Sequence, residues 1–365
     1  MSSVFSYIDK YNISFLEKNF TEVDNLIFSK FSYIKFDGLL SFDEKISISD
    51  LYKKYVSYEY FPFDKDTMKL FNKLATSNRY SSLIVGNYLS TLSDSEEKQF
   101  GAITIYLPNN IIYVSFRGTD NTLIGIKEDF NMTYMSYVPS QIDSVKYLEK
   151  VSALNDYKII VGGHSKGGNM AMYSASFCNQ SCRDRIIGIY NNDGPGFFDE
   201  VLDSKGYQEI LDKVYTFVPQ TSIIGMLLNH REKYTVVKSR KSLIMQHDLL
   251  SWEIDDDKFV KFSSVNKKSK YIDEVMSELL KISKEEKKQF FEIIYQMLTS
   301  TGASTINELS NQKVKNVKEI LNSYKKLDDD DKQVFIKIWK EIIKMAKSNI
   351  VHYLPKIKKD KTPNS

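Results

Sequence analysis

The sequence has few histidines and cysteines and no long apolar run, and each shortage limits what the protein can be. Of its 365 residues, four are histidine and two are cysteine. Cys178 and Cys182 are too few for a disulfide framework, so we predict reduced thiols and a cytoplasmic protein. No stretch reaches about eighteen consecutive apolar residues, so no membrane-spanning helix is expected. Residues 1–11 lack the basic and apolar regions of a secretory signal peptide.

Neither sign of charge is in large excess. Lys and Arg total 50 against 47 Asp and Glu, a net charge of +3, so no nucleic-acid partner is expected. Residues 351–365 carry four lysines against one aspartate and are predicted to form a basic, disordered tail. No group of ligand side chains has metal-binding spacing, and the aspartates at 328–331 lack the pattern of a calcium loop. We therefore expect no metal and no cofactor.

One stretch indicates a definite chemistry: a serine placed between two glycines, Gly163, Ser165 and Gly167. It follows the apolar run 158–161 and precedes the helix-compatible run 170–175, so it is predicted as strand, tight turn and helix. This is the nucleophile elbow of α/β-hydrolases, in which side chains two positions before or after the serine would collide with the turn. We predict that Ser165 is a nucleophile; a purely structural glycine-rich turn is the alternative.

A serine nucleophile needs a carboxylate and a histidine further along the chain, in that order. Asp193 follows the predicted strand 185–191 and precedes a Gly-Pro-Gly turn, so it is predicted as the acid; a turn-forming aspartate is the alternative. His247 follows the last predicted core strand and is predicted as the base, with His230 as its competitor. His164, next to the serine, is predicted to be structural.

The oxyanion hole requires two backbone N–H groups. One is assigned to Lys166, the residue after the serine, and the other to Thr119, which follows the predicted strand 111–116. Asp129, further along, is expected either to pair with Arg117 or to lie on the surface. Five residues suit an acyl-binding wall or ordinary core packing equally well: Ile223, Ile224, Met226, Leu227 and Leu228.

Apolar runs and amphipathic segments alternate along residues 100–250. This alternation predicts a largely parallel sheet covered by helices on both faces, an α/β fold. An aromatic loop is predicted over 58–63 and a hairpin turn at Pro108-Asn109-Asn110. The predicted strands are 82–89, 101–106, 111–116, 158–161, 185–191, 213–218 and 234–238, and the predicted helices are 20–33, 50–56, 65–75, 123–135 and 141–154.

From about residue 264 the strand pattern ends and charged amphipathic helices follow. Capping signals at Ser283, Thr305 and 328–331 predict three helices. We predict an α/β domain over 1–262, a carboxy-terminal helical region over 263–350 and the tail over 351–365. One face of the third helix suits either weak contact with a membrane surface or plain solvation, and it carries Lys337, Lys340, Lys344 and Lys347.

Several motifs together resemble known families. Residues 116–119 (Phe-Arg-Gly-Thr) and 163–168 (Gly-His-Ser-Lys-Gly-Gly) are similar to the class 3 lipases, which are α/β-hydrolases. With 193–197, 222–228 and 246–248 added, the set looks closer to the bacterial Mbeg1-like family, over most of residues 20–260. The resemblance implies an α/β-hydrolase fold with a mostly parallel central sheet. It also implies Ser165 as nucleophile and Thr119 as oxyanion residue.

One departure concerns the acid. In class 3 lipases the acid follows a later strand, where this chain has Thr221 and Ser222, whereas Asp193 is placed as in pancreatic-type lipases. The sequence thus predicts a serine hydrolase that cleaves small-molecule or lipid esters through an acyl-enzyme at Ser165. The alternatives are a thioesterase or peptidase with the same triad, or a hydrolase-fold binding protein without turnover. The sequence does not indicate which oligomeric state the protein adopts.

Overall fold

The structure, a computed structural model, describes residues 3–58, 64–262 and 282–353, without the side chains of residues 243 and 342–353. The strands are β1 Lys45–Ser47, β2 Ile84–Ser93, β3 Lys98–Leu107, β4 Ile111–Phe116, β5 Lys158–His164, β6 Ile186–Asn192, β7 Val214–Pro219, β8 Tyr234–Val237, β9 Ile254–Asp255 and β10 Lys258–Phe259. The helices are α1 Val4–Lys10, α2 Glu22–Phe31, α3 Ile48–Ser57, α4 Lys65–Thr76, α5 Leu123–Asn131, α6 Pro139–Ser152, α7 Lys166–Phe177, α8 Gln180–Arg185, α9 Asp199–Leu202, α10 Lys205–Ile210, α11 Lys284–Thr299, α12 Ile306–Asn311, α13 Lys313–Lys325 and α14 Asp329–Tyr353.

Strands β1 to β8 form one sheet in chain order, and β9 and β10 form a separate hairpin. The pairs from β1 to β4 are antiparallel and those from β4 to β8 are parallel. The register places Phe116 beside Gly163 and His164 beside Asn192, so the carboxyl ends of β4, β5 and β6 meet at one edge. The predicted α/β fold with a mostly parallel sheet and a helical carboxy-terminal extension is confirmed.

Apolar side chains cover both faces of the sheet, which explains why its central strands are continuous apolar runs. On one face α2 buries Leu26 and Phe28, and on the other α7 buries Met170 and Met172, all at 0 % exposure. Each such side chain stabilises the fold by roughly 1.5 to 3 kcal/mol. Helix α2 begins at a capping box whose N-cap is Thr21, which satisfies amide groups at its first turn.

The carboxy-terminal helices pack against α5. Thr122 and Thr305 form an antiparallel bridge, and backbone hydrogen bonds of 2.8 and 3.0 Å flank it on either side. The rings of Phe130 and Phe291 stack with centroids 4.4 Å apart. Lys127 is buried in ion pairs to glutamates of α11 and of the β2–β3 turn. The helical region is therefore joined to the segment that follows β4 by backbone as well as side-chain contacts.

Most predicted elements are present, with ends shifted by a few residues. The hairpin turn is confirmed, since Asn109 and Asn110 have φ of 62° and 55°, values that asparagine tolerates well. The helix predicted to run to residue 135 ends at Asn131. The single helix predicted after Thr305 is split at Gln312, where φ and ψ are −120° and 48°. Seven short elements were not predicted, namely α1, β1, α8, α9, α10, β9 and β10.

Parts of three predictions lie outside the described residues. These parts are 59–63 of the aromatic loop, 263–281 at the start of the helical region, and 354–365 of the basic tail. The domain boundaries therefore stay a prediction. Within the described ranges, no helix is both long enough and apolar enough to cross a bilayer.

Candidate active site

Ser165 occupies the turn between β5 and α7 in a strained backbone conformation. Its φ is 57° and its ψ is −132°, a region that residues with side chains seldom adopt. A Cβ at Gly163 would lie 2.4 Å from the backbone of Gly167, and one at Gly167 would lie 2.2 Å from the carbonyl oxygen of Phe116. The two glycines thus allow β4, β5 and α7 to approach closely while Ser165 is held at their junction.

Asp193 and His247, which are far apart in sequence, form a hydrogen-bonded pair. His247 Nδ1 lies 2.7 Å from Asp193 Oδ2, and the Ser222 hydroxyl donates to Asp193 Oδ1. A carboxylate that accepts from Nδ1–H leaves Nε2 free to accept a proton. The Asp193 side chain is 1 % exposed and the His247 side chain is 24 % exposed, so the carboxylate is shielded from water while the imidazole is accessible. The hydrogen bonds of the described residues do not include one between Ser165 Oγ and His247.

The His164 side chain holds the backbone of His247 next to the turn at Ser165. His164 Nε2 lies 2.7 Å from the His247 carbonyl oxygen, so Nε2 is the donor and Nδ1 accepts from the Tyr33 hydroxyl at 2.7 Å. Burial, with a smaller contribution from His247, holds the pKa of His164 well below its usual range. A Cβ on Gly118 would lie 2.2 Å from Tyr33 Oη. Tyr33 therefore contacts both the elbow and the loop after β4.

The loop after β4 presents Thr119 near the elbow. The Thr119 hydroxyl donates to Asp129 Oδ1 at 2.6 Å, and burial raises the pKa of Asp129 to about 6. Asp129 does not pair with Arg117, which instead donates to Ser90 Oγ at 2.8 Å, and Asp129 is half-buried. The backbone N–H groups of Thr119 and Lys166 donate to no described residue. Both remain free to bind an oxyanion.

The side chain of Lys166 forms a buried ion pair that sequence reasoning missed. Lys166 Nζ donates to Glu128 Oε2 at 2.7 Å and to both oxygens of Gln99 at 2.9 and 3.0 Å. Both charged side chains are at most 1 % exposed. Glu128 also accepts from the backbone N–H groups of Gln99 and Ser140, each at 2.9 Å. Two consecutive acidic residues on the helix after Thr119 are the signal that could have revealed this network.

The competing histidine lies in a different cluster. His230 Nδ1 lies 2.8 Å from Glu232 Oε1, and Glu232 also accepts from the hydroxyls of Tyr207 and Thr216 at 2.6 and 3.0 Å. The charge and hydrogen bonds of His230 outweigh burial and lower the pKa of Glu232 to about 2. The geometry therefore favours His247 over His230 as the partner of Asp193.

The predicted acyl-binding wall stays a prediction. Three residues of this wall are half-buried, namely Ile223, Met226 and Leu227. A narrow cleft lies beside the turn at Gly196; Leu228 lines this cleft, but the other three residues do not. That cleft holds about 10 Å³, roughly the space of one water molecule. A cleft of about 440 Å³ lies at residues 17–22 and 257–258 and contains none of the site residues.

No cluster of three or more metal-ligating side chains occurs in the part of the chain that the structure describes. The fold and the site together define an α/β protein with a strand-turn-helix serine next to a buried aspartate–histidine pair. The chain belongs to the Mbeg1-like family, whose sequence model matches residues 74–296. This match confirms the family predicted from the motifs.

Comparison with solved structures gives distant similarities. Rhizomucor miehei lipase in its native propeptide complex is 16 % identical, with 59 % of this chain and 68 % of that chain covered and a TM-score of 0.37. M37 lipase is 17 % identical, with 55 % and 68 % covered and a TM-score of 0.33. Similarity at this level does not assign an activity. No curated protein sequence is significantly similar to the chain.

Proposed function

We propose that the protein is a serine hydrolase that cleaves carboxylic esters, with Ser165 as nucleophile, His247 as base and Asp193 as the orienting acid. Ser165 Oγ bonds to the acyl carbon while its proton passes to His247 Nε2. The tetrahedral intermediate collapses, and His247 returns that proton to the departing alcohol. Water, activated by His247 in the same way, then releases the carboxylic acid and restores Ser165.

The oxyanion of each tetrahedral intermediate would be bound by the N–H groups of Thr119 and Lys166. A donor of this kind contributes about 3 kcal/mol of transition-state stabilisation. The Thr119 hydroxyl is held by Asp129, which orients the loop that carries this N–H. The Lys166 side chain is held by Glu128. Both acceptors belong to α5, so one helix orients both sides of the oxyanion hole.

The observation that carries the proposal is the 2.7 Å contact between His247 Nδ1 and Asp193 Oδ2 at the edge of the sheet where Ser165 follows β5. A glycine-rich turn with a purely structural role has no need of this pair. The bond fixes the histidine tautomer that serves as a base. Ester, thioester and amide substrates would all use this machinery, and we propose esters on the family resemblance.

A fluorophosphonate probe tests the proposal directly. We expect labelling of the wild type, no labelling of Ser165→Ala, and labelling slowed by a factor of about 10⁴ in Asp193→Asn, which permits the wrong histidine tautomer. Asp212→Asn is the matched control, because it makes the same change at an exposed carboxylate away from the site and should be labelled like the wild type. A panel of esters and thioesters of graded chain length then defines the substrate. Absence of labelling in a well-folded wild type would contradict the proposal.

A further inference from the structure

Helix α13 leaves an apolar face in solvent. Val314, Val317 and Leu321 occupy one side of the helix and are 88 %, 55 % and 53 % exposed. The orientation is fixed from the opposite side by Asn316, whose side-chain amide donates to two carbonyl oxygens of α12 at 2.9 and 3.3 Å. Exposed apolar residues scattered singly are ordinary, but three on one side of a helix mark a surface that binds something.

The same helix is strongly basic. It and the residue after it carry five exposed lysines and a single acid, Glu319, and none of these lysines forms an ion pair with a residue that the structure describes. Lys318 and Lys325 lie one turn beyond Val314 and Leu321 respectively, and therefore beside the apolar side chains. The five lysines are Lys313, Lys315, Lys318, Lys325 and Lys326.

These two properties restrict what can cover the face. A second copy of the chain would place lysines against lysines, which is unfavourable at the centre of an interface. A surface with an apolar interior and negatively charged groups at its boundary suits both the apolar side chains and the lysines. An anionic lipid bilayer has this chemistry, and basic amphipathic helices lie in its interface with their apolar face buried.

For the third carboxy-terminal helix, which is α14, the sequence left weak membrane contact and plain solvation as alternatives. Lys337 of that helix is paired with Glu286 of α11 at 2.5 Å, whereas the lysines of α13 have no such partner among the described residues. Helix α13 starts close to the candidate site. It follows α12, which has six residues and spans about 9 Å, and α12 begins at the bridge between Thr305 and Thr122.

We propose that the lysine-rimmed apolar face of α13, formed by Val314, Val317 and Leu321, docks the protein on an anionic lipid surface. The docking holds the loop that carries Thr119 near that surface through the bridge at Thr122. The inference does not depend on the chemistry proposed for Ser165, because binding is measured without turnover.

Vesicle sedimentation with the full chain tests this inference, in a Ser165→Ala background that prevents hydrolysis. We expect the protein to sediment with phosphatidylcholine vesicles that contain phosphatidylglycerol, and to remain in solution with phosphatidylcholine alone. Raised salt should release it. Lys318→Glu/Lys325→Glu should weaken the partition coefficient by roughly twentyfold or more, since each lysine at an anionic surface contributes about fivefold. Val314→Asp/Leu321→Asp should abolish sedimentation.

Matched controls separate the face from general effects of charge. Lys53→Glu/Lys205→Glu changes two lysines that are 75 % and 88 % exposed elsewhere, and Leu154→Asp changes a leucine that is 53 % exposed. Both controls should sediment like the wild type. Circular dichroism checks that each variant is folded, and the lysine pair keeps the test valid if the aspartate pair unfolds.

Two results would overturn the inference. One is that the wild type does not sediment with anionic vesicles, or that the α13 variants sediment with them as well as the wild type does. The other is a dimeric wild type that becomes monomeric in Val314→Asp/Leu321→Asp, since the face would then be occupied by a second copy. Sedimentation equilibrium without lipid distinguishes this second result.

Discussion

The buried ion pair between Lys166 and Glu128 should control the stability of the site. In Glu128→Gln the charge that faces Lys166 is lost, while the side chain keeps one acceptor oxygen for three surrounding donors. Hydrogen bonds to charged groups contribute about 1.5 to 3 kcal/mol each, and removing one partner of a buried pair costs about 3 to 5 kcal/mol. We therefore expect Glu128→Gln to lower the free energy of unfolding by about 3 to 5 kcal/mol, against a typical total of about 5 to 15 kcal/mol.

Equilibrium unfolding in urea, followed by circular dichroism, measures this loss. Lys166→Met should cost a similar amount, because it leaves the Glu128 carboxylate buried and unpaired. The double variant should cost clearly less than the sum of the two, by about 1 to 3 kcal/mol, since it leaves neither charge uncompensated. Additive costs, or a loss below about 1 kcal/mol for Glu128→Gln, would refute the reasoning that this pair is closely coupled and dry.

Three further predictions concern the surroundings of the site. Because the pKa of Asp129 is raised to about 6 from its ordinary 3.8, the native state binds more protons at this group than the unfolded state does between these values. The contribution of Asp129 to wild-type stability should therefore fall as pH rises from about 4 to 6, opposite in sign to the contribution of buried His164. Asp129→Asn should lack this fall in urea titrations at both pH values; an unchanged pH dependence would contradict the assignment. Tyr33→Phe should lower the free energy of unfolding by about 1 kcal/mol in the same titration. It should also slow fluorophosphonate labelling, because the turn at Ser165 and the loop after β4 both contact this hydroxyl; labelling at the wild-type rate would argue against this support. Ile306→Pro removes the N–H that bonds to the backbone after Thr119 but suits the first position of α12, so labelling should slow while helix content, measured by circular dichroism, is retained.

The parts of the site that could be predicted are those fixed by local geometry and chain order. Ser165 could be identified because the close approach of β4, β5 and α7 restricts the neighbouring positions to glycine. Asp193 and His247 could be placed because successive parallel strands end at the same edge of the sheet. The structure brings these two side chains into contact.

The rest depends on tertiary contacts that leave little local trace. Glu128 and Lys166 are of types that usually lie in solvent, and only the packing of α5 against β3 and α7 shows that they are buried together. The bridge between Thr122 and Thr305 joins segments far apart in sequence through backbone atoms, which carry no side-chain pattern. The exposure of Val314 could not be foreseen either, because amphipathic spacing shows that a helix has an apolar face without showing what covers it.

The bridge at Thr305 also bears on the size of the smallest functional unit. The family match ends at residue 296, before the strand-like segment that pairs with the loop after Thr119, and it begins at residue 74, after Tyr33. A protein trimmed to the matched region would keep Ser165, Asp193 and His247 and lose contacts to the loop that carries Thr119 from both ends of the chain. The residues that the family model matches and the residues that support the loop after β4 thus lie in different segments of the chain.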